Sequence, residues 1–214
     1  KMSSADKLKC YDLYFEALRA GHAGQALDLA GLETTLRDAV DRGTGGEGLE
    51  ERVLAIHRLK TAVPAASFAR MGAVAGGGTE EQVEGLGRFF EAVGTAFQIM
   101  DDVLNLRGFK GDLKSRGEDI TRGTATMPLV KAVTLMKPSD AKHLVDGVLA
   151  KPQDQETVNA LIQIMEECGA LDACVEQAQG LVEAAWQELD PLVEDSLPKI
   201  MLRAFGWYVL DRHY

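Results

Sequence analysis

The chain has 214 residues, 46% hydrophobic and 26% charged, which is enough to bury a core and excludes wholesale disorder. Its formal net charge of −10 argues against nucleic acid or an anionic membrane surface as a partner. An acidic chain still binds an anionic ligand where metal ions or a few local lysines supply positive charge.

The three cysteines, Cys10, Cys168 and Cys174, show no CxxC spacing, so they suggest neither a disulfide framework nor a zinc site. Free thiols in a reducing compartment are expected, with the cytoplasm favoured and an organelle as the alternative. No apolar run approaches the roughly 18 residues of a membrane span. No signal-peptide pattern opens the chain. It begins Lys1-Met2 and enters helical sequence almost at once with no visible cap, which suggests a piece of something longer.

Strand signals are nearly absent, and apolar residues recur at three- and four-residue spacing. The first helix is predicted from about Lys7 to Leu32, with Leu8, Tyr11, Phe15, Leu18, Gln25 and Leu29 at that spacing. A glycine-punctuated loop follows over 41–46, and a second helix from about Gly48 carries Leu49, Val53, Ile56 and Leu59. Thr79-Glu80-Glu81-Gln82 reads as a capping box opening a third helix. That helix carries Val83, Leu86, Phe90, Val93, Phe97, Met100 and Leu104 and ends near Arg107. A long polar stretch runs from Gly108 to Gly123, and loops of that length tend to be functional. Helices are predicted again over 127–136, 139–149, 155–168, 171–189 and 197–213. The expected architecture is a single all-α antiparallel helical bundle over residues 1–214.

Within the third helix, Gln98, Asp101, Asp102 and Asn105 fall in an arc of about 100°, while Val93, Met100 and Leu104 point away. Two adjacent carboxylates repel each other, and turning both inward favours a divalent cation between them and a polyanion. Hard oxygen ligands of this kind suit magnesium, Mg2+, which keeps waters and shares phosphate oxygens. A solvated acidic face is the plainer reading of such a pair taken alone. In His57-Arg58-Leu59-Lys60-Thr61-Ala62-Val63-Pro64, Pro64 has no N–H for the Lys60 carbonyl, so the helix is predicted to kink there and expose the Lys60–Thr61 backbone. Lys60 at such a break is placed to reach a phosphate. The loop from Lys110 to Asp119 mixes basic residues with glycines, as a flap over a diphosphate would.

Phe97-Gln98 and Asp101-Asp102, followed by Lys114, Gly117-Glu118-Asp119, Gly123 and Thr126-Met127-Pro128, resemble the second aspartate-rich motif and following loop of trans-isoprenyl diphosphate synthases. Lys60-Thr61-Ala62 resembles the family's lysine-threonine motif, and Gly24-Gln25 with Asp28 its glycine-glutamine segment. The resemblance extends over essentially the whole chain and is to the carboxyl-terminal portion of the family, of the geranylgeranyl or farnesyl type. It implies the isoprenoid synthase type of bundle and head-to-tail condensation of an allylic diphosphate with isopentenyl diphosphate. It further implies Asp101 and Asp102 as magnesium ligands, Lys60 and Lys114 on the leaving diphosphate, and Thr61 and Gln98 at the reacting carbons. A homodimer, or a heteromer with a related subunit, follows by the same analogy.

Three features depart from the family pattern. No DDxxD motif precedes Lys60, so the amino-terminal helices that carry the first aspartate-rich motif are expected to be missing. Asn105 stands where aspartate is frequent, and Thr124 where a second loop lysine is usual. These departures keep a second hypothesis in play, a non-catalytic regulatory subunit packed on an active partner. A class I terpene cyclase is disfavoured by the lysine-threonine motif.

Overall fold

A computed structural model describes residues 2–43, 46–108 and 116–211. The described residues form eleven α-helices, one π-helical turn and one 3-10 turn, with no strand. They fall into two compact units. The first holds α1 (Ser4–Ala30), the π-turn (Arg58–Ala62), α4 (Val63–Ala75), most of α5 (Glu80–Arg107), the later part of α10 (Ala170–Leu189), the 3-10 turn Asp190–Leu192 and α11 (Leu197–Leu210). The second holds α2 (Glu33–Arg42), most of α3 (Glu47–His57), the end of α5, α6 (Glu118–Arg122), α7 (Met127–Leu135), α8 (Pro138–Leu149), α9 (Gln155–Glu167) and the start of α10.

Helix α1 is capped after all. The Asp6 N–H donates to Ser3 Oγ and the Ser3 N–H donates to Asp6 Oδ2, each at 3.1 Å, a reciprocal box built on an aspartate. The face that α1 buries is also not the one its large apolar residues mark. Leu13, Ala17, Ala20 and Gly24 are buried, whereas Leu8, Tyr11, Phe15 and Leu29 are 52–79% exposed. At Gly24 the neighbouring backbone comes too close for a larger residue, whereas Leu13 is buried against Val74 and Val83.

Helix α1 ends two residues before the predicted boundary at Leu32, and α2 is a helix the sequence pattern did not predict. Gly31 at φ +68° ends the first helix, and Gly43 at φ +63° closes the second in the left-handed C-cap conformation. Leu36, Ala39 and Val40 turn inward on α2, which packs on α8. The capping box at Thr79 is present. Its N–H donates to Gln82 Oε1 at 3.0 Å, and the Gln82 N–H donates back to Thr79 Oγ1 at 3.3 Å. On α5 the expected Val83, Val93, Met100 and Leu104 are buried, joined by Phe89, Ile99 and Val103.

The first unit closes on an aromatic cluster. Phe89 meets Trp186 edge-on at 5.7 Å, and Phe90 stacks with Phe205 at 6.0 Å. The second unit packs α7, most of it buried, against α8 and α9. Asp154 caps α9 by accepting the Thr157 N–H at 2.8 Å. The predicted loop over 108–123 is shorter than expected, because Gly117 (φ +79°) and Gly123 (φ +71°) bracket the one-turn helix α6.

Candidate functional site

The Lys60 segment takes its form from Pro64. Without an N–H at position 64 the α-helical ladder cannot continue, and the chain widens into a π-turn in which the Val63 N–H donates to the Arg58 carbonyl. Two glycines hold this turn. A Cβ at Gly24 would lie 2.7 Å from the Leu59 carbonyl carbon and from Lys60 Cα, and one at Gly94 would lie 2.8 Å from Ala62 Cα. Helices α1 and α5 therefore meet the turn backbone to backbone. Gln98 follows Gly94 by four residues and so shares the face of α5 that meets the turn.

Lys60 Nζ donates to Asp28 Oδ2 at 2.6 Å. Asp28 lies one turn beyond Gly24 on α1, so the close glycine contact and the ion pair belong to one helix face. Both side chains are about a third exposed, so the pair is open to exchange. His57, one turn before Lys60, is buried, and burial pushes its pKa down to about 4, with Asp28 acting the other way. The role of His57 was not foreseen, although its spacing from Lys60 was the available signal.

The buried imidazole sets a pH dependence. Its pKa is lower folded than unfolded, so between about 6.5 and 4 the unfolded chain binds more protons and stability falls as pH falls. His57→Asn should flatten this slope, which in the wild type amounts to about 3 kcal/mol across the window. Urea titrations at pH 7 and pH 4.5 would show it, and an equal pH dependence in both proteins would remove the assignment.

The acidic pair lies toward the carboxyl-terminal end of α5, in the second unit. The Met127 N–H donates to Asp102 Oδ2 at 2.9 Å. Met127 opens α7, where unpaired N–H groups and the helix dipole favour a carboxylate. Asp102 is thus fixed to a neighbouring helix. Asp101 is half-buried, and no described residue engages its carboxylate. Asn105, grouped with the pair by helical phase, is buried and serves the loop instead. Its carbonyl accepts the Gly117 N–H at 2.9 Å and its Oδ1 accepts the Asp119 N–H at 3.3 Å. Arg116 Nε adds a bond to the Leu106 carbonyl at 2.5 Å. Lys114 lies outside the described residues, as does the rest of 109–115.

Behind Asp102 sits Cys174, whose thiol is pushed up to about 12 by burial, with the Asp102 charge adding to the effect. It is an inert packing residue at neutral pH. Glu50 accepts from Lys131 at 2.8 Å and from Gln177 at 2.9 Å. Among the described residues no group of three or more His, Cys, Asp or Glu side chains is placed to hold a metal ion. The donor set at 101–102 is hard oxygen, one carboxylate unengaged and one oriented by a backbone N–H. That set fits a magnesium-like cation which takes its remaining ligands from water and phosphate. No helix among the described residues is long and apolar enough to cross a membrane.

Comparison with known proteins gives the family. The family model for polyprenyl synthetase matches residues 1–165. The geranylgeranyl diphosphate synthase of Methanosarcina mazei is 28% identical over 97% of this chain and 59% of its own length. The geranylfarnesyl diphosphate synthase of Aeropyrum pernix is 31% identical over 99% of this chain and 62% of its own length. A crystal structure of geranylgeranyl pyrophosphate synthase from Corynebacterium glutamicum, complexed with calcium and isoprenyl diphosphate, superposes with a TM-score of 0.78 at 27% identity. That superposition covers 95% of this chain and 59% of the other. The chain belongs to the polyprenyl synthetase family and has its all-α isoprenoid synthase fold. It spans about three fifths of the length of these relatives.

Proposed function

We propose that these 214 residues form one helical domain, the carboxyl-terminal part of a trans-prenyltransferase that condenses an allylic diphosphate with isopentenyl diphosphate head to tail. The observation that carries this reading is the Lys60 turn, in which a π-turn held between two glycines presents a lysine on an exchangeable carboxylate partner. Membership of the polyprenyl synthetase family supports it.

In this reading Asp101 would hold magnesium, and Asp102 would act directly or through a coordinated water. The cation, when bound, neutralises charge on the leaving diphosphate. The isoprenyl diphosphate and calcium in the Corynebacterium glutamicum enzyme are in keeping with a divalent cation at such a site. Lys60 exchanges Asp28 for a phosphate oxygen, which strengthens as negative charge develops on the leaving group. Lys114 adds a second contact by family resemblance. The Lys60 carbonyl, which Pro64 leaves without its helical donor, and the Thr61 hydroxyl turn partial negative charge toward the developing allylic cation. Gln98 orients the reacting carbons from the adjoining face of α5. Condensation and loss of a proton complete the reaction, and no nucleophilic side chain is required.

The exposed apolar stripe of α1 supports a dimer or a heteromer with a related subunit. Thr124, in place of a second loop lysine, favours the second reading, a non-catalytic subunit that regulates an active partner. Calorimetry with a bisphosphonate and magnesium tests the Lys60 assignment. Lys60→Ala should weaken binding about tenfold, the loss of one charge-assisted hydrogen bond. Asp28→Asn, which removes the competing carboxylate, should bind as well as wild type or better. Unchanged affinity in Lys60→Ala would leave it a surface lysine.

A further inference from the structure

Among the described residues, Lys151 is the one non-glycine residue at positive φ, +53°. It follows α8, where the Ala150 N–H donates to the Asp146 carbonyl and the Lys151 N–H to the Val148 carbonyl, each at 3.0 Å. A left-handed residue just past a helix end is ordinarily glycine or asparagine, because a larger side chain there crowds its own backbone. A lysine in that conformation is locally unfavourable, and such strain is kept where the side chain serves something else.

The conformation lays the Lys151 side chain across Gly123, the left-handed residue that closes α6. A Cβ at Gly123 would fall 2.8 Å from Lys151 Cε and 3.0 Å from its Cγ, so only a glycine leaves room for the crossing. Gln153 holds the crossing in place, its Nε2 donating to the Thr121 carbonyl at 3.1 Å and the Lys151 carbonyl at 2.8 Å. Lys151 itself stays exposed, and no described residue engages its ammonium. Its neighbours differ. In the same unit Lys131 holds Glu50, Lys142 holds Asp41 and Arg122 holds Glu118. The chain beneath the Lys151 stem leads straight to the acidic pair. The Thr124 N–H donates to the Asp119 carbonyl at 2.9 Å, and the Asp119 N–H to Asn105 Oδ1, one turn past Asp101 on α5. Three residues beyond Thr124, the Met127 N–H holds Asp102. Gly123 and Met127 are four residues apart, at most about 14 Å of extended chain. An ammonium with a fixed stem and no internal partner therefore stands beside the segment that fixes Asp102.

We propose that Lys151 is a further binding residue for the diphosphate, its ammonium taking a phosphate oxygen of the ligand whose magnesium Asp101 holds. The proposal rests on the prenyl-transfer reading and adds to it a cation from the connection between α8 and α9, which no sequence motif marks. A cation without a carboxylate of its own forms the new contact without first breaking an old one, unlike Lys60 on Asp28. The stem, already ordered against Gly123, loses little freedom when the ammonium engages.

Calorimetry of the 214-residue chain with a bisphosphonate and magnesium reads the contact. Lys151→Met keeps the stem and removes the charge, and it should bind about five- to tenfold more weakly. Lys151→Gly should show the same loss while its thermal midpoint holds or rises, since glycine relieves the left-handed backbone. A lysine that served only to pack on Gly123 would give the reverse, a lower midpoint with unchanged affinity. Thr124→Lys, at an exposed position next to Gly123, should restore much of the affinity when added to Lys151→Gly. Lys137→Ala removes another exposed lysine, about 18 Å away at the opposite end of α8, and should bind as wild type does. Unchanged affinity in Lys151→Met, or an equal loss in Lys137→Ala, would overturn the assignment and leave the magnesium site standing. Absence of magnesium-dependent binding in the wild type would overturn the prenyl-transfer reading and this assignment with it.

Discussion

Gly24→Ala is expected to destabilise the first unit by about 3 kcal/mol, near the upper end of what overpacking one methyl usually costs. The reason is what the methyl would strike. At most core positions a new Cβ displaces the end of a flexible side chain, but here it would press on the carbonyl carbon of Leu59 and the Cα of Lys60, at 2.7 Å. The backbone of the π-turn would have to move, and on its other side Gly94 leaves no slack at Ala62. The effect therefore reaches function as well as stability, because shifting the turn carries Lys60 away from Asp28. Urea denaturation should show the loss of stability, and bisphosphonate calorimetry a loss of affinity in the protein that remains folded. Gly48→Ala, at a glycine with open space around its Cβ position, serves as the control and should be near neutral. A tolerated Gly24→Ala would mean that α1 does not approach the turn as described.

Asp101→Ala should lower magnesium-dependent bisphosphonate affinity about a hundredfold or more, since losing even an outer-shell partner of a metal commonly costs ten- to a hundredfold. It should leave stability nearly unchanged, because no described residue depends on that carboxylate. Asp102→Ala differs in kind. It strands the Met127 N–H at the start of α7 and should cost about 1 kcal/mol of stability in addition to any loss of binding. The contrast between the two variants separates a ligand from a carboxylate that is partly structural, and similar stability losses in both would contradict that division.

Features that depend on neighbours along the chain were legible in the sequence. The capping box at Thr79 and the interruption before Pro64 both formed, because each is decided within one helical turn. The form of the interruption was not legible. A missing donor at Pro64 is satisfied either by a kink or by a wider turn, and Gly24 and Gly94, distant in sequence, supply the close walls that accommodate the wider one. The inner face of α1 was misread for the same reason. Large apolar side chains mark surface that seeks cover, whereas Gly24 is buried because of how near another backbone lies, and Leu13 because it meets Val74 and Val83. Asn105 shares helical phase with Asp101 and Asp102, and phase alone cannot separate a group that meets a ligand from one that meets Gly117 and Asp119. The Met127 N–H on Asp102 was equally hidden, since residue type carries no signal for a backbone donor.

The most direct test of the account is calorimetric titration of the wild-type chain with a bisphosphonate, once with magnesium present and once with the metal chelated. The account predicts saturable binding with magnesium and none without it. Equal heats under both conditions, or no binding in either, would contradict a metal-held diphosphate at Asp101 and Asp102.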